Sequence, residues 1–231
     1  METLEALQRE SRERLHPSLT NPSWLVLRRR REIFRKWLAQ MEGRNLDVLD
    51  IGGRVQPYRP LLQDRLHHYL AVDVRATPLV DVVGRGEQIP LASEQFDLVI
   101  CTQVLQYVFE PAAAIAEIYR VLKPGGWLLL SVPAIGVRDS DGEFWRFLPA
   151  SLRQFLRSFH EVEIVPEGGS IIGFFRTINA GLNLFFPHPL IRSGLRWTLF
   201  PLVNLSGELL DRVVPSHNDE FSANYSVCAR K

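Results

Sequence analysis

From residue 46 onward, short apolar runs rich in branched residues alternate with helix-like stretches, and this alternation restricts the fold more than any other feature of the chain. The runs LDVLDI (46–51), HHYLAVDV (67–74), LVDVV (79–83), FDLVICT (96–102) and GWLLLSVP (126–133) have the length and composition of strands. Between the last two, PAAAIAEIYRVL (111–122) places Ile115, Ile118 and Leu122 at helical spacing behind a first-turn proline, and the Pro-Gly-Gly after Lys123 stops the helix. LPASLRQFLRSF (148–159) reads as a further helix, EVEIV (161–165) as a strand, and EFSANYSVCARK (220–231) holds the final one. Strand, helix, strand in repetition predicts an α/β fold: a doubly wound, mostly parallel sheet with helices on both faces. Ligands of such sheets bind beyond the carboxyl ends of the strands, so the residues that follow each run are the candidate site.

Two segments break the pattern. Residues 1–45 form an N-terminal helical extension, with a loop signal at PSLTNP (17–22) followed by WLVLRRRREIFRKWLAQM, whose apolar face is Leu25, Ile33, Phe34, Trp37 and Leu38. The arginine run from Arg28 to Arg31 reads as the solvated face of that helix, with contact to phosphate or an anionic membrane as the alternative. Residues 169–214 are apolar and aromatic, interrupted by Gly, Pro and Asn, and form an inserted helical cap; the core is then 46–168 together with 215–231. The cap holds Phe174, Phe175, Phe185, Phe186, Trp197 and Phe200 with three arginines, Arg176, Arg192 and Arg196, and no acid lies between Glu167 and Glu208. A cap that shapes an acceptor pocket, a peripheral membrane contact or lipid lid, and a dimer surface all fit that composition.

With 27 basic against 26 acidic residues, the net charge of +1 steers the chain toward no polyanion, and there is no basic stripe with interleaved aromatics, so nucleic acid is not an expected partner. Cys101 and Cys228 are too few for a disulfide scaffold and match no zinc spacing; both fall in strands and read as buried, inert thiols of a cytoplasmic protein. His67, His68 and His160 read as structural or exposed, and no metal site is expected. The opening METLEALQRESRERL has acids and arginines where a secretory signal needs an apolar core, and no apolar run is long enough to predict a spanning helix.

The chemistry begins at VLDIGGRVQPY, where Asp50 ends the first strand and Gly52 and Gly53 open the turn after it. Glycine there permits close backbone approach to a ligand and a conformation forbidden to other residues. Asp73 closes the next strand about 20 residues on, where an acid accepts hydrogen bonds from ribose hydroxyls. Together they indicate a nucleoside-containing cofactor. A nicotinamide fingerprint fails, because Arg54 and Pro57 stand where G-x-G-x-x-G requires its later glycines.

The succession VLDIGG, YLAVDV, GEQIPLASEQFDLVICTQVLQYV and EIYRVLKPGGWLLLSVP resembles the class I S-adenosylmethionine-dependent methyltransferases (type 11-like domain) over about residues 46–133. The resemblance implies a Rossmann-like, seven-stranded sheet with an antiparallel last strand, and S-adenosylmethionine as cofactor. It places Asp50 and Gly52 of the Gly52-Gly53 turn beside the methionine moiety and Asp73 on the ribose, with Thr102 and Gln103 walling the pocket. Turn N–H groups would face the cofactor carboxylate. Departures are Arg54 and Gln56 in the glycine-rich turn, and Arg85 where relatives carry an acid on the adenine; arginine cannot accept a hydrogen bond, so adenine falls to the Gly86 backbone or another side chain. Gln106 and Tyr107 stand where relatives often have Glu-His, so no catalytic base is assigned. Asp139, Asp141, Glu143, Trp145 and Arg146, after the fifth strand, are candidates to orient a polar acceptor. The expected activity is methyl transfer to a small molecule, saccharide or lipid-linked saccharide, at the inner face of the membrane if the cap makes contact there. The alternative is a non-catalytic binding or regulatory module.

Overall fold

The structure, a computed structural model, describes residues 2–41, 43–138, 140–214 and 218–231. Strand β1 (Leu46–Ile51) lies inside the sheet, in parallel register with β2 (Leu66–Asp73) on one side and β4 (Phe96–Thr102) on the other. Beyond β2 lies β3 (Val82–Val83); beyond β4 come β5 (Leu122–Pro133), β7 (Asn224–Arg230) and β6 (His160–Pro166), giving the order β3-β2-β1-β4-β5-β7-β6. β7 runs antiparallel to both its neighbours, as expected of the last strand. Of the predicted strands, β1 and β4 have the predicted bounds.

Two others differ for local reasons. LVDVV yields only two paired residues, because residues 77–80 form a turn and the Asp81 carboxylate accepts the Ala71 N–H at 2.8 Å in place of a backbone carbonyl. β5 starts at Leu122, before the Pro-Gly-Gly, which forms an irregularity within the strand: Phe96 pairs with Leu122, and Leu98 next pairs with Trp127. Gly126 permits it, since a Cβ there would lie 2.9 Å from the Lys123 carbonyl oxygen. Helix α3 (Pro111–Val121) therefore passes straight into the strand.

Alternation along each strand sends successive side chains to opposite faces. Leu49, Val99, Cys101, Leu128 and Leu130 pack beneath α3 and the short helix α4 (Pro149–Phe155). Val48, Leu98, Ile100 and Leu129 pack under Phe34, Trp37 and Leu38 of α2 (Trp24–Gln40), so the extension supplies one layer of the core. The cap is α5 (Ser170–Phe185), α6 (Pro189–Trp197) and α7 (Leu199–Val213), between β6 and β7. Gly207 lets α7 approach Phe175 of α5, while buried Asn179 and Asn204 join at 2.9 Å and Asn204 holds the carbonyls of Leu19 and Asn21.

The arginine run is not a solvated face. Arg28 and Arg29 pair with Glu208, Arg29 also with Asp211 at 2.8 Å, and Arg30 is buried against Glu167; Arg31 bonds the Leu15 carbonyl. Three successive arginines clamp the extension to the cap and core.

Candidate functional site

β1 delivers Asp50 into the interior. Only 2% exposed, it accepts a hydrogen bond from the Tyr69 hydroxyl on β2 at 2.6 Å. Burial pushes its pKa up to about 7, helped by the charge of Asp73, while the Tyr69 hydrogen bond pulls the other way. The Tyr69 phenol is itself raised, by burial and by the Asp50 charge. Gly52 follows with φ at +73°, and a Cβ on it would fall 2.2 Å from Val104 Cγ2, so Val104 packs directly on the glycine. Gly53 presses on Ala71 of β2. The N–H groups of both glycines donate to the Val72 carbonyl, at 2.8 and 3.3 Å, which corrects the expectation that the turn offers them to a cofactor carboxylate. They extend the β1–β2 pairing just past the end of β1.

Asp73 sits at the carboxyl end of β2, half-buried, with Oδ1 accepting the Arg75 N–H at 2.9 Å. Gly86 is half-buried, and a Cβ there would meet Ala114, Val108 and Ile51 only at ordinary contact distance. Arg85 turns to solvent and pairs with Glu87 at 3.3 Å. The two departures in the turn hold structure of their own. Arg54 pairs with Glu2 and Glu10 of the α1 (Leu4–Leu15) region, at 2.8 and 2.6 Å, and buried Gln56, at φ +48°, accepts from Arg59 and donates to the Leu79 carbonyl. The Arg54 side chain fastens α1 over the turn, and that of Gln56 ties the turn to Arg59 and Leu79.

Beside this turn, a cavity of about 690 Å³ opens between the carboxyl ends of β4 and β5, the first two helices and α5. Thr102 and Gln103 line it; Asp50, Gly52, Gly53, Asp73 and Gly86 are not among its lining residues. Gln103, at φ +56°, donates from Nε2 to the Ser131 hydroxyl at 3.1 Å, and Ser131 donates to Glu167 at 2.6 Å. Glu167 is the hub: Arg30 holds it through two hydrogen bonds, at 2.7 and 2.9 Å, with Ser226 and Asn224 completing the set. Burial lowers the Arg30 pKa, but the Glu167 charge outweighs it and the net shift is upward, so Arg30 stays charged. Gln106 also lines the cavity; its Oε1 is buried with no hydrogen-bond partner among the described residues.

The loop after β5 is sorted by the structure. Asp139 lies outside the described residues. Asp141 points to solvent, paired with Arg138, and Trp145 gives its indole N–H to the Phe109 carbonyl. Glu143 and Arg146 pair at 2.7 Å in the cavity wall. Glu10 and Arg14 join that wall unforeseen, because they come from the extension, whose docking no local pattern reports, and Arg176 and Arg192 of the cap stand in it with them. Arg30 did leave a trace: it sits four residues from both Val26 and Phe34, within the apolar stripe of α2. Among the described residues one group has metal-ligand spacing, Asp47, His67 and His68; it lies at the amino end of β2, with Lys123 on Asp47 at 2.9 Å.

Acids ending β1 and β2, a glycine at positive φ between them and an antiparallel last strand define a Rossmann-like domain. Residues 49–130 match the family model described as a methyltransferase domain. It is 31% identical over 113 residues to a malonyl-[acyl-carrier protein] O-methyltransferase of Serratia marcescens, covering 48% of this chain and 38% of the relative. Against a ubiquinone biosynthesis O-methyltransferase of Pseudomonas aeruginosa the identity is 35% over 102 residues, covering 43% and 39%. The chain thus spans about two fifths of these relatives' length. In fold it is similar to a methyltransferase from Archaeoglobus fulgidus, with TM-score 0.53, 14% identity, and 95% and 97% of the two chains covered.

The residues fit the cofactor in one respect above others. Asp50 is a buried carboxylate whose hydrogen-bond partner among the described residues is a neutral hydroxyl, and this is the environment an ammonium group would complete.

Proposed function

We propose that the chain transfers the methyl group of S-adenosylmethionine to a small polar acceptor held in the cavity, a saccharide or lipid-linked saccharide being the class its polar wall suits. The buried carboxylate of Asp50, hydrogen-bonded to a neutral hydroxyl at the edge that also bears the cavity, carries this reading. Bound S-adenosylmethionine supplies an already electrophilic methyl group. Asp50 would hold its ammonium, Asp73 its ribose hydroxyls and the Gly86 backbone its adenine, while Thr102 and Gln103 separate cofactor from acceptor. Transfer then depends on alignment, which supplies much of the rate when reactants are held in line. The Glu167 network fixes Gln103 through Ser131. Relatives whose names specify O-methylation support an oxygen nucleophile.

Calorimetric titration with S-adenosylmethionine and S-adenosylhomocysteine tests the reading, with an Asp73→Ala variant and an NADH control. Micromolar binding, about 8 kcal/mol, lost in the variant is the expected result. No binding of either ligand at millimolar concentration would refute it. The side chains of Arg54 and Gln56, and Val104 seated on Gly52, would then mark a non-catalytic binding module.

A further inference from the structure

The cap has one face that the rest of the molecule does not use. On α7, Phe200, Asn204 and Gly207 turn inward, while Leu202, Leu205, Leu209 and Val213 recur at helical spacing on the exposed side. Phe185 at the end of α5 and Leu190 and Trp197 on α6 extend this apolar surface, at 75%, 77% and 72% exposure. So much exposed aromatic and aliphatic surface on three successive helices exceeds the scattered apolar residues of an ordinary surface.

Charge decides what covers it. No acid occurs from residue 168 to 207, and the two acids of α7, Glu208 and Asp211, are held by Arg28 and Arg29 of α2. The cap surface is thus stripped of negative charge by the same arginines that tie it to the core. Arg192 and Arg196 of α6 remain beside the apolar residues, their hydrogen bonds going to neutral oxygens of Asn183 and Thr20. A second copy docked about a two-fold axis would bring like-charged α6 surfaces together with no acid in the segment to oppose them. An anionic bilayer meets both the apolar and the cationic requirement. Among the described residues no helix is long and apolar enough to cross a membrane, and a helix with one apolar and one polar or cationic face binds a bilayer in the interface plane.

We propose that α5, α6 and α7 dock the protein on an anionic phospholipid bilayer, with Leu190, Trp197 and the outer leucines of α7 inserted among the acyl chains and Arg192 and Arg196 at the headgroups. Asn183, Leu184 and Arg192 also line the cavity, so docking sets its mouth at headgroup depth; in the methyl-transfer reading, on which this clause alone rests, an amphiphilic acceptor enters there.

Co-sedimentation of the whole chain with vesicles of phosphatidylcholine alone and of equimolar phosphatidylcholine and phosphatidylglycerol tests the docking without any cofactor. The expected result is binding to the mixed vesicles that falls at least tenfold in a Leu190→Ser/Trp197→Ser variant with an unchanged urea midpoint. Arg192→Gln/Arg196→Gln is expected to lose about twenty-five-fold in partition to the mixed vesicles, at about fivefold per arginine. No vesicle binding, binding indifferent to both variants, or a wild-type dimer in light scattering that Trp197→Ser dissolves would each overturn the proposal. Failure of S-adenosylmethionine to bind in solution would leave the vesicle result standing, so the two readings fail separately.

Discussion

Replacing Arg30 by methionine keeps an unbranched side chain within the apolar stripe of α2 and removes the only guanidinium on the Glu167 carboxylate among the described residues. Glu167 is 1% exposed and would retain Ser131, Ser226 and Asn224 as neutral donors but no cation. Breaking a buried pair by removing one partner costs about 3–5 kcal/mol, because an uncompensated charge stays buried. With a urea slope of about 2–3 kcal/mol/M, the unfolding midpoint of Arg30→Met should fall by about 1–2 M. The double variant Arg30→Met/Glu167→Gln removes both charges and should recover more than half of the loss. Urea melts of the four proteins of this cycle are the assay. A loss below about 1 kcal/mol in Arg30→Met, or no recovery in the double variant, would refute the claim that this pair is a buried electrostatic clamp.

Two further outcomes follow from the turn. Asp50, raised to about 7 by burial, stabilises the free protein while protonated, so stability should fall as pH rises through about 7; Asp50→Asn should abolish that decline, gain on the order of 2 kcal/mol at about pH 8, and lose at least tenfold in S-adenosylmethionine affinity by calorimetry. Thermal melts from about pH 5 to about pH 8 that are parallel in both proteins would contradict it. Gly52→Ala combines a left-handed conformation with a collision against Val104, together about 2–4 kcal/mol, and adding Val104→Ala should restore the steric part in urea melts. No rescue by the second substitution would mean that backbone conformation alone sets the cost.

The core strands were legible because their side chains answer to a local rule. FDLVICT and LDVLDI are buried on both faces, and a continuous branched run states that directly. LVDVV misled because Asp81 uses its side chain where a strand uses its carbonyl, a substitution that composition does not register. Asp50, Asp73 and the two glycines could be placed at the carboxyl edge from sequence, since strand ends fix them there. The partners of their groups could not: that both glycine N–H groups serve Val72, and that Val104 occupies the space over Gly52, depends on where neighbouring strands stop.

The chain's own order of residues thus determined the sheet, its direction and the edge at which chemistry can occur, all set by interactions between positions close along the chain or by the periodicity of burial. Tertiary structure alone decided the cavity. Arg30 finds Glu167 across 137 residues, Arg28 and Arg29 find α7 across about 180, and the cavity walls come from the extension, the β5 loop and the cap together. A run of four arginines carries no sign of whether it faces water, phosphate or carboxylates, because charge is read locally in a sequence while its neutralising partner is chosen by packing. The same packing that buries those arginines leaves α6 and the outer face of α7 apolar and without exposed acid.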